Sequence, residues 1–94
     1  MFLHLGRDVA VDVDTIIVVF DMDTATWSRH TRNYLSAAEK AGKVYVITDE
    51  LPKSAVVCWE NGDFVVYISQ ISSRTLLKRL EEGIDALSDM GLNE

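Results

Sequence analysis

Residues 51–79 carry the sequence LPKSAVVCWENGDFVVYISQISSRTLLKR, and this stretch decides the predicted fold. It contains two runs rich in β-branched residues, Ser54–Glu60 and Asp63–Ser69, which are separated only by Asn61 and Gly62. An Asn-Gly pair tolerates positive φ at both positions and favours a type I′ turn between antiparallel strands. The stretch therefore predicts a β-hairpin with a two-residue turn.

The predicted hairpin is apolar on both faces. Because side chains alternate along a strand, Ala55 and Val57 would face one side, and Val56 and Cys58 would face the other. The return strand repeats this arrangement. A hairpin that is apolar on both faces needs cover on both sides, from the chain's own helices, from another subunit, or from both.

The remaining periodicity predicts further strands and two helices around this hairpin. The run TIIVVF is typical of a buried strand and is too short for a helix. Ser72 or Ser73 is the natural N-cap of the last helix. Besides the hairpin, the predicted elements are strands at Phe2–Leu5, Val9–Val13, Thr15–Phe20 and Lys43–Ile47, and helices from Thr24 or Thr26 to Ala41 and over Ser73–Ser88.

These elements follow one another in the order β-β-β-α-β-β-β-α, which is typical of an α+β fold. A chain of 94 residues can bury one hydrophobic core, so we expect a single small domain. Residues 1–80 form this predicted domain, and residues 81–94 form an acidic extension of the last helix and a tail.

Each predicted helix has one apolar face. At 100° per residue, the inner face of the first helix would carry Trp27, Tyr34, Ala38 and Ala41, and its outer face Arg29, Arg32 and Lys40. His30 would lie toward the apolar side. The apolar stripe of the last helix would consist of Leu76, Leu77, Leu80, Ile84 and Leu87.

The formal net charge is −6, and its distribution along the chain is uneven. Residues 1–28 hold one basic and five acidic groups, residues 29–80 hold eight basic and five acidic groups, and residues 81–94 hold five acidic groups with no basic one. The basic middle permits a local anion-binding face, although the overall acidity opposes general affinity for nucleic acids.

Composition also indicates where the chain works. The single cysteine excludes an internal disulfide framework, and a reducing cytoplasm is the simplest setting. The chain has no apolar run of about 18 residues, so we expect no membrane span. Its first ten residues lack the basic start and the apolar run of a signal peptide. We therefore expect a cytoplasmic protein.

One short motif is similar to a catalytic signature. The sequence DMDT at residues 21–24 follows an apolar strand, as in haloacid-dehalogenase-type phosphotransferases, where the first Asp is the nucleophile, the second an acid/base, and Mg²⁺ shields the phosphate. However, no suitable acidic pair follows a later strand, and too few strands remain for a doubly wound parallel sheet. The alternative reading places Asp21 and Asp23 at a strand end and a helix N-terminus. We expect no enzyme.

Metal and cofactor sites are not indicated. His4 falls on a predicted strand, His30 on a predicted helix, and Cys58 within a strand of Val and Trp residues. None of them belongs to a two-ligand spacing such as C-x-x-C or H-x-x-x-H. We expect Cys58 to be a small buried hydrophobic side chain, and the chain to hold neither a metal ion nor a cofactor.

The order of these sequence segments resembles the small bacterial RemA/RemB (YaaB-like) family, most closely its RemB branch. The resemblance rests on LPKS at residues 51–54, on YISQISSRTLLKR at residues 67–79, and on MFLHLG at residues 1–6. It covers most of residues 1–80. It implies a homo-oligomer, with a ring as one form, and a DNA partner in the control of biofilm and extracellular-matrix genes.

The residues available for DNA contact differ in part from this family's pattern. RemA-type chains carry an arginine cluster just before the strand that corresponds to Ala55–Val57, whereas this chain has only Lys53 there. The acidic residues 81–94 also extend beyond the usual RemB ending. Phosphate contacts would come from basic side chains. The candidates are Arg29, Arg32, Lys40, Lys43, Lys53, Arg74, Lys78 and Arg79.

The sequence thus favours a non-enzymatic, homo-oligomeric transcriptional regulator of the RemA/RemB type that binds DNA. The first alternative is an oligomeric assembly or adaptor protein that uses the same surface for protein partners and binds no DNA. The second is a Mg²⁺-dependent phosphatase that uses Asp21 and Asp23.

Overall fold

The computed structural model describes the backbone of residues 1–22 and 29–89, and the side chains of residues 1–22 and 29–83. The predicted caps Thr24 and Thr26 lie outside the described residues, as do Asp23 and Trp27 and the tail from residue 90. The elements are β1 Phe2–Gly6, β2 Val9–Asp12, a 3₁₀ turn at Val13–Thr15, β3 Ile16–Asp21, α1 Arg29–Lys40, β4 Val44–Val46, β5 Ser54–Glu60, β6 Asp63–Ser69 and α2 Ser73–Asp89.

The hairpin of β5 and β6 forms as predicted. Its antiparallel register runs from Ser54 opposite Ser69 to Glu60 opposite Asp63. Asn61 has φ 51° and Gly62 has φ 81°, so both turn residues occupy the left-handed region that a type I′ turn requires. Within the described residues, β3, β5, β6 and β4 form one sheet in that order, which we call the main sheet, and β1 pairs with β2 in a second sheet.

Strand β3 lies at an edge of the main sheet, and the prediction that this segment is buried is wrong. It pairs with β5 in antiparallel fashion, with a register shift between Ile16 and Val18. Ile17, at this bulge, is 59% exposed, and Val18 is 36% exposed. A run of β-branched residues indicates a strand, but its burial depends on what lies beside it, which the run itself does not specify.

Strand β4 forms the other edge of the main sheet. It pairs in parallel with β6, so that Val44 lies opposite Val66 and Val46 opposite Ile68. The amide of Ile47 donates to the carbonyl oxygen of Ile68 at 3.0 Å and extends the ladder. The edge strand is short, and Val46 is 63% exposed.

Helix α2 and the small sheet cover one face of the main sheet. Leu5 of β1 and Leu76 of α2 are fully buried against Val56 and Cys58 of β5. Of the predicted stripe, Leu80 packs against this cluster, but Leu77 is exposed because it lies on the outer side of the helix. The side chains of Ile84 and Leu87 lie outside the described part.

Helix α1 covers the opposite face only in part. Leu35 and Ala38 pack against a cluster that includes Val57 and Val66. The prediction of Ala41 as an inner-face residue is wrong, since it is exposed, and Tyr34, which is 36% exposed, lies at the margin of this face beside Val57 and Phe64. Leu35, one residue further along, takes the central position instead, so the buried stripe is rotated by about one residue from the predicted face. The two-sided cover that the hairpin requires is therefore supplied by the chain itself, with one face incompletely closed.

Within the residues that the structure describes, neither helix is long and apolar enough to cross a membrane.

Candidate functional site

The basic candidates on α1 lie on its exposed side. Arg29, Arg32 and Lys40 are all exposed, as the helical phase predicts. Arg32 and Glu39 line a groove of about 520 Å³ between α1 and the β4 edge, which we call the side groove. Its apolar lining consists of Met22, Leu35, Val44, Val46 and Ile68, with Ser36 at the rim.

The basic candidates on α2 lie on the other side of the main sheet. Arg74 and Lys78 are exposed and line a shallow depression together with Asp21 and Glu81. Arg79 is also exposed, but it lines a different hollow beside β1. Because α1 and α2 pack on opposite faces of the main sheet, one subunit does not gather the predicted set into a single patch.

The two remaining candidates are placed differently from each other. Lys43 Nζ lies 3.1 Å from Asp63 Oδ2, so its charge is matched within the subunit. The hydrogen bond from Lys43 and the backbone amide of Phe64 hold the pKa of the Asp63 carboxyl below its usual range. Lys53 has an exposed side chain, while its backbone bridges Met22 and Ser69 at the start of β5.

The serines of the motif segments have a structural role. Ser54 Oγ donates to the carbonyl oxygen of Ile71 at 2.7 Å, and Ser69 Oγ donates to that of Leu5 at 2.5 Å. Ser69 Oγ also accepts from the amide of Ile71, and Ser72 Oγ accepts from the amide of Thr75 at 3.2 Å. Ser72 is therefore the N-cap of α2, as predicted. Sequence reasoning identified the segments without showing that their hydroxyls join β1, β5, β6 and α2.

The thiol and the two imidazole groups lie in different surroundings. Cys58 is fully buried, as predicted, and burial raises the pKa of its thiol despite a hydrogen bond from Thr15. His4 Nε2 lies 2.6 Å from the carbonyl oxygen of Arg7. His30 is exposed, so its predicted place toward the apolar side of the helix is wrong. Among the described residues, no group of three or more His, Cys, Asp or Glu side chains is placed to hold a metal ion.

The surroundings of Asp21 differ from those of the phosphotransferase motif. Asp21 ends an edge strand that runs antiparallel to its neighbour β5, whereas such enzymes use a parallel sheet. Such enzymes also place a hydroxyl at the end of a second strand; Thr48, which follows β4 closely, donates to Gln70 Oε1 at 2.5 Å and accepts from the amide of Glu50. Asp23 lies outside the described residues. This geometry does not strengthen the phosphatase alternative.

Exposed apolar side chains gather where α1 leaves the main sheet open, and sequence reasoning missed this surface. The rings of Trp59 and Phe64 meet edge to face, with centroids 4.7 Å apart and both side chains more than 40% exposed. A hollow of about 250 Å³ beside them is lined by apolar side chains of β3, β5 and β6 and by Tyr34. We call this surface the open patch; it consists of Ile17, Val18, Tyr34, Trp59 and Phe64.

A further hollow of about 420 Å³ lies beside the hairpin turn on the α2 face. The Tyr45 and Tyr67 rings stack along its wall with centroids 5.7 Å apart. The Tyr67 hydroxyl donates to Glu60 Oε2 at 2.8 Å, and burial together with this carboxylate raises the pKa of the Tyr67 phenol. Two pairs of the polar groups in this hollow, Tyr67 with Glu60 and Lys43 with Asp63, are thus already matched within the subunit.

Comparison with known proteins gives no match to a family model or to a curated protein sequence.

Proposed function

We propose that this chain is a non-enzymatic, homo-oligomeric transcriptional regulator of the RemA/RemB type that contacts DNA through α2. The observation that carries the proposal is the exposed basic run Arg74, Lys78 and Arg79 in the first two turns of that helix. These turns, Ser73–Leu80, contain no acidic residue. Their charge is positive in a chain whose net charge is negative, which is the distribution expected of a local phosphate-binding face.

Self-association is part of this proposal because one subunit offers few phosphate contacts. Each contact contributes a modest, salt-dependent increment to affinity, and a single α2 offers at most three. Identical subunits that present the same helix to one duplex multiply these contacts by avidity. The open patch supplies a reason to associate, since monomeric proteins rarely leave a contiguous apolar surface of this kind uncovered.

Contacts of this kind position a protein on DNA without reading its sequence. Lysine and arginine side chains on phosphates carry no base information, so any specificity would come from base edges or from DNA shape. A bacterial regulator of this type must share a compartment with the chromosome, so we propose a cytoplasmic location.

A second candidate function is an assembly or adaptor protein without DNA binding. The exposed aromatic pair Trp59 and Phe64 favours it, because aromatic side chains are enriched at protein interfaces. In that case the open patch would hold a protein partner, and the basic turns of α2 would be an ordinary solvated surface.

Light scattering after size exclusion distinguishes the two functions. The protein is run alone and with a mixed pool of duplex DNA, at low and at moderate salt. We expect an oligomer that co-elutes with DNA at low salt and releases it as salt rises, because phosphate contacts weaken steeply with salt.

The matched variants are the double substitution Arg74→Gln with Lys78→Gln, and the control Arg29→Gln with Lys40→Gln on α1. The α2 variant should bind DNA more weakly while keeping its oligomeric mass, and the α1 control should keep both its DNA binding and its mass. An oligomer that ignores DNA at every salt concentration would support the adaptor function instead.

A further inference from the structure

The two edge strands of the main sheet, β3 and β4, have directions that allow the edges of two copies to pair. Strand β3 is antiparallel to β5, β5 is antiparallel to β6, and β6 is parallel to β4. The edge strands β3 and β4 therefore run in the same direction on opposite sides of one sheet. A second copy, placed beside the first without being turned over, brings its β4 alongside the β3 of its neighbour as a parallel pair.

Backbone groups at both edges point outward. The carbonyl oxygen of Lys43 and the amide of Ile47 bond to β6, so by alternation the amides and carbonyls of Val44 and Val46 face away from it. On β3, the amide of Met22 bonds to Lys53, which by the same alternation turns the backbone groups of Val19 away from β5. Within the described residues, no strand pairs with either outer edge.

Among the described residues, the two edges carry only part of the usual protection against pairing. Natural proteins guard open edges with lysine, proline, inward-pointing charges, bulges, very short strands or covering loops. Strand β3 reads IIVVFD and strand β4 reads VYV, so neither contains a lysine or a proline. Ile17 and Val46 are 59% and 63% exposed on the two edges. The bulge at Ile17 and the three-residue length of β4 limit pairing, but residues 18–20 keep a regular register with β5.

Both edges present exposed apolar side chains on the α1 face. On β3, Ile17 and Val18 are exposed and line the hollow of the open patch. The side groove, of about 520 Å³, lies at the β4 edge, where Val44 and Val46 line it together with Leu35. Sheet extension brings Ile17 and Val18 of one copy to the side groove of the next.

The charges around the two edges are also complementary. The segment from Asp12 to Asp21 carries three acidic groups and no basic one. The segment from Arg29 to Val46 carries three basic groups besides Lys43, which is paired with Asp63, against one acidic group, Glu39. On the other face of the sheet Arg74 and Lys78 lie near Asp21, so the complementarity is strongest at the beginning of β3 and on the α1 side. A second copy of the chain thus presents its basic β4 edge to the acidic β3 edge of the first.

We infer that copies of this chain associate head to tail, with β3 of one copy pairing with β4 of the next and Ile17 and Val18 lying against the side groove. This inference rests on the self-association in the proposed function and specifies its surface. Such a contact is heterologous, and it yields a closed ring if the rotation between copies closes, or a filament if it does not. It also assigns Arg32 to subunit contact rather than to DNA.

The test uses two variants that each block one edge, Ile17→Asp and Val46→Asp. Both side chains are more than half exposed, so the substitutions change the surface rather than the core. Each variant alone should elute as a monomer in light scattering. An equimolar mixture should give a dimer, because each variant retains the edge that the other lacks. The matched control Phe2→Asp, at a residue 71% exposed on β1, should assemble like the wild type.

Other outcomes overturn the inference. If Val46→Asp alone dimerises, β3 pairs with itself; if Ile17→Asp alone dimerises, β4 does so. If both variants assemble like the wild type, the interface lies elsewhere. Circular dichroism checks the fold, and Ile17→Ser or Val46→Ser replaces an aspartate variant that unfolds. If the wild type assembles but binds no DNA, the proposed function is refuted and this inference still holds. If the two variants bind DNA but do not form a dimer in the mixture, only the inference is refuted.

Discussion

The hydroxyl of Ser69 donates a hydrogen bond to the carbonyl oxygen of Leu5, 64 residues away in the chain, at 2.5 Å. Both residues are buried, so this bond ties the small sheet to the end of the main sheet. The same oxygen accepts from the amide of Ile71 at 3.0 Å. One side chain thus satisfies two backbone groups, one in β1 and one between β6 and α2.

Replacing Ser69 should therefore destabilise the fold. In Ser69→Ala, the carbonyl of Leu5 and the amide of Ile71 lose their partner, and unsatisfied buried polar groups cost about 1–3 kcal/mol. Urea denaturation measures the free energy of unfolding. The control Ser36→Ala, on the exposed side of α1, should change it little. Equal stability of the two variants would contradict the role assigned to Ser69.

The turn of the hairpin should depend on Gly62. Its φ of 81° is unfavourable for a residue with a Cβ, so Gly62→Ala should cost about 1–2 kcal/mol of unfolding free energy. A substituted Cβ meets nothing within 4 Å, so the cost comes from the backbone and not from a clash. Asn61→Gly is the control, because glycine accepts the φ of 51° at that position. A thermal melt in which Gly62→Ala matches the wild type would contradict this account.

The pKa of Asp63 should follow its pairing with Lys43. Since the folded-state pKa is lowered, the carboxylate contributes stability above its unfolded pKa, and this contribution is lost as pH falls through the folded value. An NMR titration of the carboxyl carbon should show the Asp63 pKa rising in Lys43→Gln and remaining unchanged in Lys40→Gln. The pair is exposed, so salt should reduce the difference. An unchanged pKa in Lys43→Gln would show that the pair does not form.

The thiol of Cys58 should be unreactive in the folded protein. It is fully buried, and burial raises its pKa, so little thiolate is present at pH 8 and reagent has no access. Iodoacetamide should modify it only in denaturant, as mass spectrometry would show. In a Phe2→Cys variant, the second thiol should react quickly because residue 2 is exposed. Rapid labelling of Cys58 under native conditions would mean that the β5 core opens readily.

The hairpin and the α2 cap could be predicted from sequence because their determinants are local. Asn61 and Gly62 select the turn, and the two strand ranges match the prediction at both ends. The hydroxyl of Ser72 meets an amide three residues ahead. Such signals depend only on neighbouring residues, so the turn and the cap can be predicted without knowledge of the tertiary structure.

The features that could not be predicted depend on distant packing. Whether TIIVVF forms a central or an edge strand is decided by which strands pair with it. Its partner β5 begins at Ser54, which is 38 residues after Ile16 in the sequence. The centre of the inner face of α1 is Leu35 and not Tyr34, because the position of the helix on the sheet decides which apolar residue is central. The basic candidates looked like one set in the sequence, yet the main sheet separates α1 from α2.

The most direct test of the central claim is the salt dependence of DNA affinity, measured by fluorescence anisotropy with a labelled duplex. For the wild type, the logarithm of the binding constant should fall linearly with the logarithm of salt concentration, by about 0.9 in slope for each phosphate contact. The Arg74→Gln, Lys78→Gln double variant should show a shallower slope at unchanged oligomeric mass. A wild type that does not bind at low salt, or a double variant with the same slope, would contradict DNA contact through α2.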